Sequence, residues 1–234
     1  MTQIRKTFIY SSLLVLPLLA IDAHAQTNTL GEFNKHVVEK WANDYIRVSR
    51  YRVKGSPFLL GESFPGNITY VDGSEMKKIN VLYNIYEQRA GMEVGKEMVQ
   101  PGTAIKQFMV QLPEKFGSEL LLFKPAADYE PKMEGYLNVV AEGPKASLLK
   151  AFRAKLVADP SNMYANDIKM FEQYAEYYIH LAGKKELVKV KLRDKDLIKA
   201  LGGAENLKEY IVAERLDVAK EGDAVKLLHY LNSL

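Results

Sequence analysis

From Tyr45 to Leu192 the chain is a succession of short runs rich in β-branched and aromatic residues, cut at short intervals by Gly, Pro, Asn and Asp. Runs of this length and composition form strands, and the turn residues between them join neighbours in sequence, so an antiparallel sheet is the expected product. The predicted strands are Tyr45–Val53, Gly66–Val71, Lys78–Glu87, Gly91–Val94, Ile105–Val110, Leu120–Phe123 and Tyr136–Ala141. Asp72-Gly73-Ser74 and Ala90-Gly91 supply two of the reversals. Within Lys78–Glu87, Ile79, Val81, Tyr83 and Ile85 fall on one face, which predicts a core side and a wetter side.

The stretch Glu142–Val157 fits two patterns. Leu148, Leu149, Phe152, Leu156 and Val157 suit a helix, while Leu148, Phe152, Ala154 and Leu156 suit a strand. The turn Glu142-Gly143-Pro144-Lys145 favours the strand, as the second arm of a hairpin. A further hairpin is predicted from Phe171–Leu181, a reversal at Ala182-Gly183-Lys184-Lys185, and Leu187–Leu192. Three short helices follow: Lys195–Leu201 with Asp194 as its cap and Gly202-Gly203 as its stop, Ala204–Arg215, and Glu221–Leu231. Helices this short are stable only when docked, so residues 193–234 should pack on the same domain as residues 26–192. At the other end, Phe33, Val37, Val38 and Trp41 recur at helical spacing over Leu30–Asn43, which suggests a short amphipathic N-terminal helix or a loosely attached segment. The expected fold is α+β: an antiparallel β-meander, as a curved sheet or partial barrel, with short C-terminal helices.

The first 25 residues read as a cleavable secretory signal. Arg5 and Lys6 precede an apolar core over Phe8–Ala20 that is too short to span a bilayer, and Ala23 and Ala25 place small residues at the positions a signal peptidase reads before Gln26. The expected location is periplasmic or secreted. The chain has no cysteine, which removes lipoprotein acylation, disulfides, thiolate metal sites and thiol nucleophiles. With 32 basic and 29 acidic residues in all, and both signs lost with the leader, the charge is close to balanced and offers nucleic acid no long-range attraction. No further apolar run approaches a membrane span.

Motifs that carry chemistry are missing. No Gly-x-Ser-x-Gly string occurs, and Ser56 and Ser63 sit beside prolines at strand ends. His36, His180 and His229 are isolated in sequence, so none pairs with a second ligand at a helical spacing. Asp194-Lys195-Asp196 precedes an apolar helical run and reads as a cap rather than half a metal site. No glycine-rich phosphate loop follows a strand, and no cofactor or metal is expected. The unusual feature is tyrosine: Tyr164, Tyr174, Tyr177 and Tyr178 cluster around the second hairpin, and the last three form a candidate contact surface, since the side chain offers large area at low entropy cost.

Gly55-Ser56-Pro57-Phe58-Leu59, Pro65-Gly66-Asn67-Ile68, Val81-Leu82-Tyr83-Asn84-Ile85-Tyr86 and the C-terminal pattern from Asp196 to Leu234 together resemble a group of exported Bacteroidota proteins. The resemblance spans most of the chain after the leader. It implies a signal peptide, an envelope or secreted location and an α+β fold, and it supplies no activity and no site. The expected function is non-catalytic binding of another envelope protein, or of a small apolar or glycan ligand, through the concave face of the sheet or the tyrosines. The alternatives are a hydrolase of envelope or dietary polymers, built on a carboxylate pair or a histidine site assembled in space that leaves no sequence string, and a structural subunit of an envelope assembly.

Overall fold

Turn chemistry and period-two alternation produce one sheet of 12 strands in the computed structural model, which describes residues 37–40, 52–95, 97–160, 168–203 and 205–234. The strands are β1 (Val37–Lys40), β2 (Arg52–Lys54), β3 (Phe64–Tyr70), β4 (Glu75–Asn84), β5 (Arg89–Val94), β6 (Glu97–Pro101), β7 (Ile105–Gln111), β8 (Leu120–Pro125), β9 (Tyr136–Ala141), β10 (Ala146–Ala158), β11 (Ile168–Leu181) and β12 (Leu187–Val190). Their order is β1-β6-β5-β4-β3-β7-β8-β9-β10-β11-β12, with β2 added alongside β11. Helices α1 (Asp194–Ala200), α2 (Glu205–Ala213) and α3 (Glu221–Ser233) complete an α+β fold.

The sheet is forced to curl by one short connection. β6 and β7 lie four strand positions apart, which in a flat sheet is about 19 Å. Yet only residues 102–104 join Pro101 to Ile105, and four residue steps reach at most roughly 14 Å. The strands from β6 to β7 must therefore wrap, and their inward side chains fill the curl. Tyr70, Tyr83, Phe108 and Phe123 are buried there, with Phe108 stacked on Phe123 at 4.6 Å and Tyr83 edge-on to both. Gly66 is required by this closeness, because a Cβ there would stand 2.0 Å from the Met109 carbonyl oxygen.

The curl is held but not closed. Ala154 on β10 donates its N–H to the Ile85 carbonyl at 3.2 Å, just beyond β4. The Gln88 amide donates to the carbonyls of Ile85 and Phe152 at 2.6 and 3.1 Å, and the Gln173 amide of β11 donates to those of Ser56 and Phe58 at 3.0 and 2.7 Å. These bonds tie β10 and β11 across the curl to the turn after β4 and to Ser56 and Phe58.

The ambiguous stretch is strand: Ala146–Ala158 pairs with β11 along its whole length, from Ala146 opposite Leu181 to Ala158 opposite Lys169. Its helical look came from apolar residues on both faces. Leu148 is buried under the C-terminal helices while Leu149 and Ala151 are buried on the opposite side, beneath the turn around Ala126 and Tyr129. Three expectations need correction. Val37–Lys40, read at helical spacing, is a strand whose backbone pairs antiparallel with β6; the rest of Leu30–Asn43 lies outside the described residues. The sheet is not antiparallel throughout, because β2 runs parallel to β11. Finally, Asp194 does not cap α1: Arg193 occupies the cap position without a side-chain bond, and Asp194 and Asp196 lie in the first turn, where they face the positive end of the helix. The glycine stop is as expected, with Gly202 at φ +99° and Gly203 donating to the Ile198 carbonyl at 2.8 Å.

Candidate functional site

Leu148, Ile179 and Val190 of the sheet meet Leu197, Leu207 and Leu227 of the helices in one apolar cluster, so α1–α3 form a layer over the β9–β12 end. α3 is fixed at both ends. Near its start, Glu221 accepts from the Tyr177 hydroxyl at 2.6 Å and the Lys150 ammonium at 2.7 Å. Near its finish, the Asn232 carboxamide accepts from the N–H groups of Lys145 and Ala146 and donates to the Ala146 carbonyl. α2 leans on α3 through Tyr210 and Tyr230, stacked at 4.0 Å. On the outer sides of α1 and α2, Lys195, Lys199 and Val212 are exposed.

Between those outer sides runs a groove of about 550 Å³. Ile198, Ile211 and Val212 make it apolar, and Lys195, Lys199 and Lys208 rim it. Val212 is 76% exposed, the most open large apolar side chain among the described residues. Lys208 is paired with Glu205 of its own helix at 2.7 Å. Lys195 and Lys199 stand one helical turn apart, and no ion pair joins either to a carboxylate among the described residues. A second groove of about 670 Å³ lies between β12 and α1, lined by Val188, Lys191, Arg193 and Asp196 among others, and Lys199 borders both. β12 ends the sheet order, so Lys189 within it and Lys191 just after it also discourage edge-to-edge pairing with another copy.

The tyrosines are not gathered on one surface. Tyr177 and Tyr178 are adjacent on β11 and so point to opposite sides of the sheet. Tyr177 joins the helix-covered side through Glu221. Tyr178 packs against the cluster of Tyr129, Leu137 and Leu149 on the other side and donates to Glu176 at 2.9 Å, with Lys189 also bonded to Glu176. Burial, reinforced by the carboxylate each one bonds, raises both phenols, that of Tyr178 to about 12. Only Tyr174 is open, at 41%. Tyr164 lies outside the described residues, as do Ala23, Ala25 and His36.

His180 faces the Lys184 carbonyl through Nε2 at 2.9 Å and stands edge-on to Tyr129, and His229 is exposed on α3. Ser56 accepts from the Phe58 N–H at 3.2 Å, and Ser63 donates to Glu93 at 2.9 Å. Neither serine is joined to a histidine by a hydrogen bond. Among the described residues no group of three or more His, Asp or Glu is placed to hold a metal ion, and no helix is long and apolar enough to cross a membrane. The groove was missed in the sequence because its walls belong to two helices. Its one local signal was the Lys195–Lys199 spacing around Ile198.

With the fold established as α+β around a curved sheet, comparison with known proteins found no matching family model, no matching curated protein and no matching solved structure.

Proposed function

We propose that this is an exported protein of the cell envelope or its surroundings that acts by binding, and that it recognises its partner at the β12–α1–α2 end of the molecule. The observation that carries this reading is the apolar groove between α1 and α2, where Val212 stands 76% exposed beside Lys195 and Lys199, neither of them held in an ion pair among the described residues. Exposed apolar surface rimmed by polar groups is characteristic of ligand and partner sites. The two surfaces suggested by the sequence support it less well, since the concave face is filled by Tyr83, Phe108 and Phe123 and the tyrosines divide between two faces. The sequence pattern at Arg5–Ala25 supports export.

Site-specific photo-crosslinking in living cells tests the reading. A photoreactive residue at Val212 should yield a discrete adduct, while one at Val71, also exposed but in the Asp72-Gly73 turn, should yield none. Equal labelling at both positions, or none at either, would remove the basis for placing recognition at this end.

A further inference from the structure

We infer that the α1–α2 groove binds the anion of a single-chain aliphatic carboxylic acid, its tail on Ile198, Ile211 and Val212 and its carboxylate between Lys195 and Lys199. The inference rests on the binding reading above and names the ligand class. Size permits it, since about 550 Å³ lies within the range of roughly 300–1,000 Å³ typical of small-molecule sites. The floor also selects for hydrocarbon. Ile198, Ile211 and Val212 present no polar side-chain atom, so a hydrocarbon tail can lie on them without leaving a polar group unpaired.

The rim selects for negative charge. Lys195 and Lys199 stand one helical turn apart on this rim, and neither is held in an ion pair among the described residues, although Asp196 lies in the same turn. A bound carboxylate between them gains charge-assisted hydrogen bonds from both ammonium groups. Lysine presents a compact point charge on a flexible stem, which suits a carboxylate arriving on a mobile tail. Lys208 is held by Glu205 and closes the far rim, while Asp194 lies at the groove's edge and excludes a second anionic group there.

Isothermal titration of the full chain, purified from its own cells and stripped of small molecules, with decanoate, decanol and acetate tests the assignment. Decanoate binds saturably at one site, decanol binds at least about tenfold more weakly for want of the charge-assisted bonds, and acetate does not bind measurably. Val212→Asp and the double change Lys195→Glu/Lys199→Glu each weaken decanoate by about tenfold or more. All three positions are on the surface, so the thermal midpoint of each variant should match the parent's. Absence of saturable decanoate binding overturns the inference, and so does binding that both variants leave unchanged. If decanoate fails while the Val212 crosslink persists, the ligand class falls and the binding reading stands; if both are blank, both fall.

Discussion

Raising the pH should unfold this protein cooperatively soon after its tyrosines would begin to ionise in water. Tyr70, Tyr83 and Tyr129 are 0%, 2% and 7% exposed, and burial raises each phenol well above its ordinary value of 10. Burial likewise pushes Tyr136 up to about 12. Above pH 10 the unfolded chain releases these protons and the folded chain keeps them, so folding is penalised progressively as pH rises from 10 towards the folded values. Below pH 10 the four groups are neutral in both states and contribute no slope. Each retained proton costs about 1.4 kcal/mol per pH unit, so four together cost about 5 kcal/mol per unit. A domain stability of about 5–15 kcal/mol is exhausted within one to three units. Far-ultraviolet circular dichroism and tyrosinate absorbance recorded on the same samples should therefore change together, in one steep transition above pH 10. A smooth rise of tyrosinate absorbance for all the tyrosines near pH 10, with the dichroism intact, would refute the claim that these rings are core.

Three single substitutions probe other parts of the structure. Glu221→Gln keeps the shape but weakens the bonds from Tyr177 and Lys150, and should lower stability by about 1–2 kcal/mol in urea while speeding hydrogen exchange in α3 more than in the curled sheet. Gly66→Ala should cost about 2 kcal/mol or more by the same measurement, because the added methyl meets the Met109 backbone rather than a side chain that can move. Tyr129→Phe should leave stability unchanged or raise it by about 1 kcal/mol, since the buried hydroxyl has no hydrogen-bond partner among the described residues; a clear drop in thermal midpoint would mean the hydroxyl is satisfied.

Local pattern carried most of the sheet. Tyr136–Ala141 forms a strand with the bounds its alternation and flanking turns predict, and the turn at Gly143-Pro144 decided correctly for the strand that follows it. A curved sheet was expected, but the connection that forces the curl was not legible, because it depends on β6 lying four strands from β7 while only a three-residue link separates them in sequence, a property of strand order rather than of any run. Arg52 and Val53 were expected to be strand, at the end of Tyr45–Val53, whose other residues lie outside the described ones, but the parallel pairing was hidden: it brings Arg52 opposite Ile168, more than a hundred residues away. The tyrosine surface shows the reverse case. Period two alone places Tyr177 and Tyr178 on opposite faces, so that division could have been read from the sequence. The groove could not, since Ile198 and Ile211 reach the same hollow only after Gly202 and Gly203 turn α2 back beside α1.

Native mass spectrometry of protein recovered gently from its own cells, run beside the Val212→Asp variant, tests the central claim most directly. The account predicts a parent chain carrying a non-covalent mass that the variant has lost. A parent that flies as a bare chain, or a retained mass that the variant keeps in full, would contradict recognition at the α1–α2 groove.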